Sequence, residues 1–126
     1  MLVIQHINNI NFGRINIKII MNNDILWAPW RMKYIKSPKD SKNKCIFCDK
    51  VKSNDDENNF IVHRGINSYI LLNIHPYNNG HVMVSPYKHQ SKFDLLCDKT
   101  QVEMMSSISH LMKIMRKRMN VDGFNF

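Results

Sequence analysis

The order of elements readable in the sequence is that of an α+β protein, an antiparallel sheet carrying one long helix on a face. Three observations lead there. Phe60–His63 and Ser68–Ile74 are rich in β-branched and aromatic residues and are separated by Arg64-Gly65, the pattern of two antiparallel strands joined by a tight turn. His81–Ser85, entered through the turn-forming run HPYNNG and closed by Pro86, reads as a third strand. Val102, Met105, Ile108, Met112, Met115 and Met119 then recur at helical spacing and predict one apolar helix face.

Taken from the N-terminus, residues 1–20 are rich in Ile and Asn, carry Arg14 and Lys18, and contain no acid. An organelle-targeting leader is basic and acid-poor in the same way. A misassigned start is the equal alternative, because Met21 opens the segment that reads like a domain. Residues 1–23 are therefore expected to be disordered and 24–126 to form the N-terminal part of a domain whose last strands are missing. Within DILWAPWRMKYIK, residues 24–36, Pro29 restrains its own φ and biases Ala28 away from helix, so an irregular arm or short turn is expected. The lysine-rich run 37–44 reads as a solvated loop. Cys45 to about Ser53 suits a short helix, ended by the polar run Ser53–Asn59.

The long helix has a start signal in Asp98, with Gln101 three residues on completing a capping-box pattern. Lys113, Arg116, Lys117 and Arg118 crowd its last turns, where positive charge complements the helix dipole. Its methionines suit an irregular groove against a sheet. Residues 121–126 (VDGFNF) read as a turn and the first residues of another strand. A strand begun there would leave a sheet edge unpaired.

A chain of 126 residues is one domain at most, with room for a single modest core. Apolar residues make up 44% and no run approaches the roughly 18 needed for a membrane span, which predicts a soluble protein. The net charge of +8 is compatible with an anionic ligand. It is also what a bias toward Lys and Asn supplies, and no aromatic-interleaved basic stripe points to nucleic acid.

The three cysteines are Cys45, Cys48 and Cys97; an odd number without a signal peptide argues against a secreted disulfide framework. The spacing in Cys45-Ile46-Phe47-Cys48 lets two thiolates reach one tetrahedral metal ion. Redox use and inert thiols stay open as alternatives. His89, in the loop behind Pro86, could return to the pair as a third ligand. Cys97 could be a fourth, though packing as a small apolar residue near the helix start is the plainer reading. His81, after Gly80 at a strand start, reads as a hydrogen-bonded structural histidine, and His63, His75 and His110 have no partner at telling spacing. No Gly-rich phosphate loop, nucleophile elbow or carboxylate pair is present.

The run LNIHPYNNGHVMVSPYKHQSKFDLL, residues 72–96, resembles the signature of the histidine-triad (HIT) family. LWAPWRMKYI and the CIFC that follows narrow the resemblance to the branch of diadenosine-tetraphosphate phosphorylases and hydrolases. The likeness spans roughly residues 24–125.

That resemblance implies a five-stranded antiparallel sheet, a homodimer, and a purine nucleotide or dinucleoside polyphosphate as ligand. By it, Ile46 and Phe47 line the base pocket and Asn73 bonds the ribose hydroxyls. Cys45, Cys48 and His89 take the places of zinc ligands, with the fourth ligand, a His of the triad region, outside this sequence. The family's nucleophile is the middle histidine of a His-x-His-x-His run on a strand after the long helix, which forms a nucleotidyl-histidine intermediate. Gly123-Phe124-Asn125 matches the start of the segment leading to it, and the run itself does not occur in these 126 residues. No residue is therefore named as catalytic, and the chain is expected to be inactive. The alternatives are a non-catalytic nucleotide-binding module and a zinc-stabilised structural module. A cytoplasmic location is expected, or an organelle if residues 1–20 are a leader.

Overall fold

The computed structural model describes residues 2–7, 29–36 and 45–126. Most of the leader, Trp27 and the lysine-rich loop 37–44 lie outside the described residues.

The chain runs β1 (Leu2–Ile7), α1 (Arg31–Lys36), α2 (Ile46–Lys52), α3 (Asp56–Asn59), β2 (Ile61–Arg64), β3 (Ser68–Leu72) and β4 (Val82–Pro86). A single 3-10 turn (Phe93–Leu95), the long helix α4 (Asp98–Met119) and β5 (Gly123–Asn125) follow. The five strands form one antiparallel sheet in the order β2-β3-β4-β1-β5. The α+β expectation holds, with all three sequence-predicted strands found within two residues of their expected ends.

Three expectations are corrected. Leu2–Ile7, read as disordered leader, is a strand: Leu2, Val3 and Ile4 pair with Val84, Met83 and Val82, and Gln5, His6 and Ile7 pair with Asn125, Phe124 and Gly123. A run of β-branched residues beside an otherwise open edge of β4 has a pairing partner that no local signal reveals. Arg31–Lys36, read as irregular, is a helical turn and a half entered through a turn at Pro29-Trp30, where proline's fixed φ is compatible with a helix start. The polar run after Ser53 also contains α3, whose N-cap Asp55 accepts from the Asn58 N–H at 3.2 Å.

The sheet is buried on both faces because side chains alternate along a strand. Ile70, Val82 and Val84 point to α4 and pack with Met104, Ile108 and Met115. Tyr69 and Leu71 point the other way, with Ile61, and pack against Phe47, Val51 and Met83. The helix face differs from the predicted stripe. Met104 (0% exposed) and Ile108 (2%) are its centre, while Val102 (68%) and Met105 (43%) face outward. A stripe of apolar residues three to four apart can be drawn along several lines of one helix, and the sheet selects one. The helix start also shifts: Cys97 is the N-cap and Asp98 the first helical residue, with Gln101 donating to the Leu96 carbonyl at 2.7 Å.

One carboxylate fastens α4 to the β2–β3 turn. Glu103 accepts from the Asn67 N–H (3.0 Å), the Asn67 amide (2.8 Å), the Ser68 N–H (3.0 Å) and the Ser68 hydroxyl (2.7 Å). Burial opposes its charge, but the Ser68 hydroxyl and the Asn67 donors outweigh it and lower its pKa. The turn needs glycine at position 65, where a Cβ would run into Glu103 Oε1 and lie 3.0 Å from the Ser68 carbonyl.

Truncation of Met104 to Ala is expected to cost about 2–5 kcal/mol in chemical denaturation, as for buried large-to-small changes. Val102→Ala, on the outward face, should stay within about 0.5 kcal/mol. Equal losses at the two positions would show that the helix face is misassigned.

Candidate functional site

Helix α2 lies on the sheet face opposite α4 and positions one side of the site. Cys45 is its N-cap, in extended conformation, and the following turn of helix brings Cys48 back beside it. The β4 strand ends at Pro86 and its loop carries His89 to the same place. Cys48 Sγ is 3.3 Å from His89 Nδ1, and the ligand atoms of Cys45, Cys48 and His89 all lie within 4.8 Å of one another. The Cys48 N–H at the open end of α2 favours the Cys45 thiolate and lowers its pKa, and the hydrogen bond with Cys45 raises that of Cys48. Two thiols and an imidazole at this separation suit zinc, which takes four such ligands. No fourth donor joins them among the described residues. Cys97 is elsewhere: it sits exposed at the start of α4, its sulfur 3.2 Å from Thr100 Oγ1, neither ligand nor packed residue.

A cavity of about 310 Å³ borders this cluster, lined by Cys45, Cys48, Tyr69, Tyr87 and His89 among others. Its floor is rigid. The Tyr69 hydroxyl donates to the Phe47 carbonyl at 3.1 Å and its ring stacks on Tyr87 at 5.4 Å. Burial raises the Tyr69 pKa, which keeps the hydroxyl protonated and donating.

A second cavity of about 250 Å³ opens between α2 and the ends of β3 and β4. Ile46, Phe47 and Asn73 all line it, so residues singled out from sequence and far apart along the chain come together. Leu71 and Met83 add apolar wall; Arg31, Lys50 and His75 line it too and were not picked out from sequence. Only the spacing of basic residues beside CIFC and WAPWR could have hinted at the first two.

Asn73 is held from three sides. Its N–H donates to the His81 carbonyl at 3.3 Å, and its Oδ1 accepts from the His75 N–H at 2.8 Å. With the oxygen so engaged, the amide nitrogen faces His81 Nε2 at 3.1 Å. His81 is 5% exposed and its Nδ1 faces the Tyr77 N–H at 3.2 Å. An imidazolium, which donates at both nitrogens, would meet a donor on each side. Burial lowers the His81 pKa, and the positive charge of Arg31 lowers it further. The structural role read for His81 from sequence is what the contacts show.

The arm closes over this turn. Trp30 Nε1 donates to the Pro76 carbonyl at 2.7 Å, and the Arg31 guanidinium lies 3.8 Å from the centre of the Tyr77 ring. Tyr77 in turn stacks nearly parallel on His81, with centroids 5.8 Å apart. Arm, turn and Asn73 are therefore one layered unit.

Comparison with known proteins fits this geometry. The sequence profile of the family described as "Protein similar to CwfJ C-terminal" matches residues 33–125. An AP-4-A phosphorylase of Mycobacterium tuberculosis (strain H37Rv) is 31% identical over 106 residues, covering 79% of this chain and 54% of that protein. The chain belongs to the histidine-triad (HIT) family. An uncharacterized HIT-like protein of Methanocaldococcus jannaschii is 28% identical over 81 residues, covering 64% of this chain and 60% of that protein. This HIT chain thus spans little more than half the length of the curated relatives it matches. No helix among its described residues is long and apolar enough to cross a membrane.

The donor arrangement around His81 has a measurable consequence. Its folded pKa lies below the ordinary 6.5, so the unfolded chain takes up this proton first as pH falls. Stability should therefore drop as pH goes from about 6.5 toward the folded pKa, the unfolded state binding more protons in that window. Nitrogen-detected NMR should find the His81 ring titrating below the ordinary 6.5. A ring titrating at 6.5 or above would contradict the two-donor geometry.

Proposed function

We propose that this HIT chain is a nucleotide-binding domain whose ligand is a purine nucleotide or dinucleoside polyphosphate. The observation that carries the reading is the shared cavity of Ile46, Phe47 and Asn73. A flat purine ring suits the apolar wall of Ile46, Phe47, Leu71 and Met83. Asn73, its side chain held by its neighbours, offers hydrogen bonds to ribose hydroxyls. The mycobacterial relative, an AP-4-A phosphorylase, supports a phosphorylated dinucleoside as the substrate class of the whole protein. Family chemistry proceeds through a nucleotidyl-histidine, and no His-x-His-x-His run occurs in these 126 residues. The chain by itself is therefore expected to bind without turning over diadenosine tetraphosphate.

Cys45, Cys48 and His89 would hold zinc in this reading, tying α2 to the loop after β4, with a fourth ligand from outside the cluster. A zinc ion held by these residues would be structural, fastening the base-pocket helix beside the sheet. The exposed apolar residues Val62 and Ile114, which line one cavity between β2 and α4, support a homodimer through that face. In this reading the protein acts in the cytoplasm, or in an organelle if residues 1–20 serve as a leader. A second reading, a zinc-stabilised module that binds no nucleotide, is favoured by the metal cluster alone.

Calorimetry with adenosine and AMP separates the two. Binding by wild type, weakened about tenfold in Asn73→Ala, is expected from the loss of ribose hydrogen bonds. A folded sample that binds neither ligand would leave the zinc module standing. Metal analysis should find roughly one zinc per chain, as for a structural site, and little in Cys48→Ser or His89→Ala. Full zinc content in both variants would remove the cluster as the site.

A further inference from the structure

The nucleotide cavity has a charge pattern that its base and ribose contacts leave unused. Arg31 reaches it from α1 and Lys50 from α2, and no carboxylate stands among the described residues lining it. Two cations on a wall whose described residues include no acid raise the local potential for anions.

The geometry of Arg31 suits an oxyanion. Its guanidinium carbon lies 3.8 Å from the Tyr77 ring centre, a contact that uses the cation's face rather than its N–H donors. Its Nε is buried and has no hydrogen-bond partner among the described residues. A buried donor of this kind is stabilised when an acceptor arrives. The arm that carries it is tied down by the Trp30 bond to the Pro76 carbonyl, so the cation is placed before any ligand binds. Lys50 is steadied from the other side, its Nζ donating to the Asn59 carbonyl at 3.2 Å and keeping further donors to spare.

We propose that Arg31 and Lys50 form a phosphate subsite on the wall of this cavity, and that Arg31 makes the pocket select phosphorylated nucleosides over unphosphorylated ones. The inference rests on reading the cavity as the nucleotide pocket. The apolar wall and Asn73 account for base and ribose; the two cations are what remains to meet the phosphates. Arginine is the apt residue because its rigid fork matches phosphate oxygens two at a time.

The test is calorimetric titration of the full chain with adenosine and with ATP at low and moderate salt. Wild type should prefer ATP by about tenfold or more at low salt, with the preference shrinking as salt screens the charges. Arg31→Gln should cut the preference to within about threefold, lowering ATP affinity far more than adenosine affinity. Lys50→Gln, on a different element, should cut it in the same direction and serves if the arm variant does not fold. Equal binding of adenosine and ATP by wild type, or an undiminished preference in the variants, would overturn the subsite while the pocket stood. Loss of adenosine and ATP binding in equal measure in Arg31→Gln would make Arg31 a structural residue of the arm and also overturn it. A folded wild type that binds neither ligand would remove the pocket, and the subsite with it.

Discussion

Strands β3 and β4 are covered on both faces, and the rest of the molecule is arranged around that constraint. Two-residue periodicity sends Ile70, Val82 and Val84 to α4 and sends Tyr69, Leu71 and Met83 to the other side. One face is thereby committed to stability, with Met104 and Ile108 filling it. The other is left to α2 and the arm, whose smaller contacts leave two cavities open. A shift of register by one residue would exchange the two faces and destroy both. Glu103 guards against it, because its four donors come from the turn that sets the β2–β3 register.

The site inherits its rigidity from that sheet. Asn73 stands just past the end of β3 and His81 just before β4, so their contact spans the turn between two well-buried strands. The layers of Arg31, Tyr77 and His81 extend the same support outward to the arm. Each member is modest by itself; a cation over an aromatic ring contributes about 0.5–2 kcal/mol depending on desolvation. Together they keep a polar side chain, Asn73, in one orientation beside an apolar cavity.

Much of this was legible from local signals. The strands announce themselves by β-branched runs between Gly, Pro and Asn turns, and the long helix by its length and charge pattern. Cys45, Cys48 and His89 were assembled from spacing and turn placement, and Ile46, Phe47 and Asn73 from the family signature. Arg31 and Lys50 were not, because a basic residue in a chain of net charge +8 has nothing local to distinguish it from a solvated one. Only the absence of a carboxylate among the described residues of the same wall does so, and that is a property of surfaces brought together from four segments.

By itself, the sequence determined the α+β class, the order of β2, β3, β4 and α4, the HIT kinship and the cysteine-histidine cluster. Each depends on short-range periodicity, turn chemistry or motif spacing, which neighbours along the chain control. Tertiary structure alone decided that Leu2–Ile7 joins the sheet between β4 and β5, since strand pairing at that separation has no local signature. It also decided which line of methionines on α4 is core, because packing against Ile70 and Val84 chooses among several nearly equivalent helix faces. And it decided that the arm returns to the Pro76 turn, a contact made by one indole and one guanidinium across 46 residues of chain.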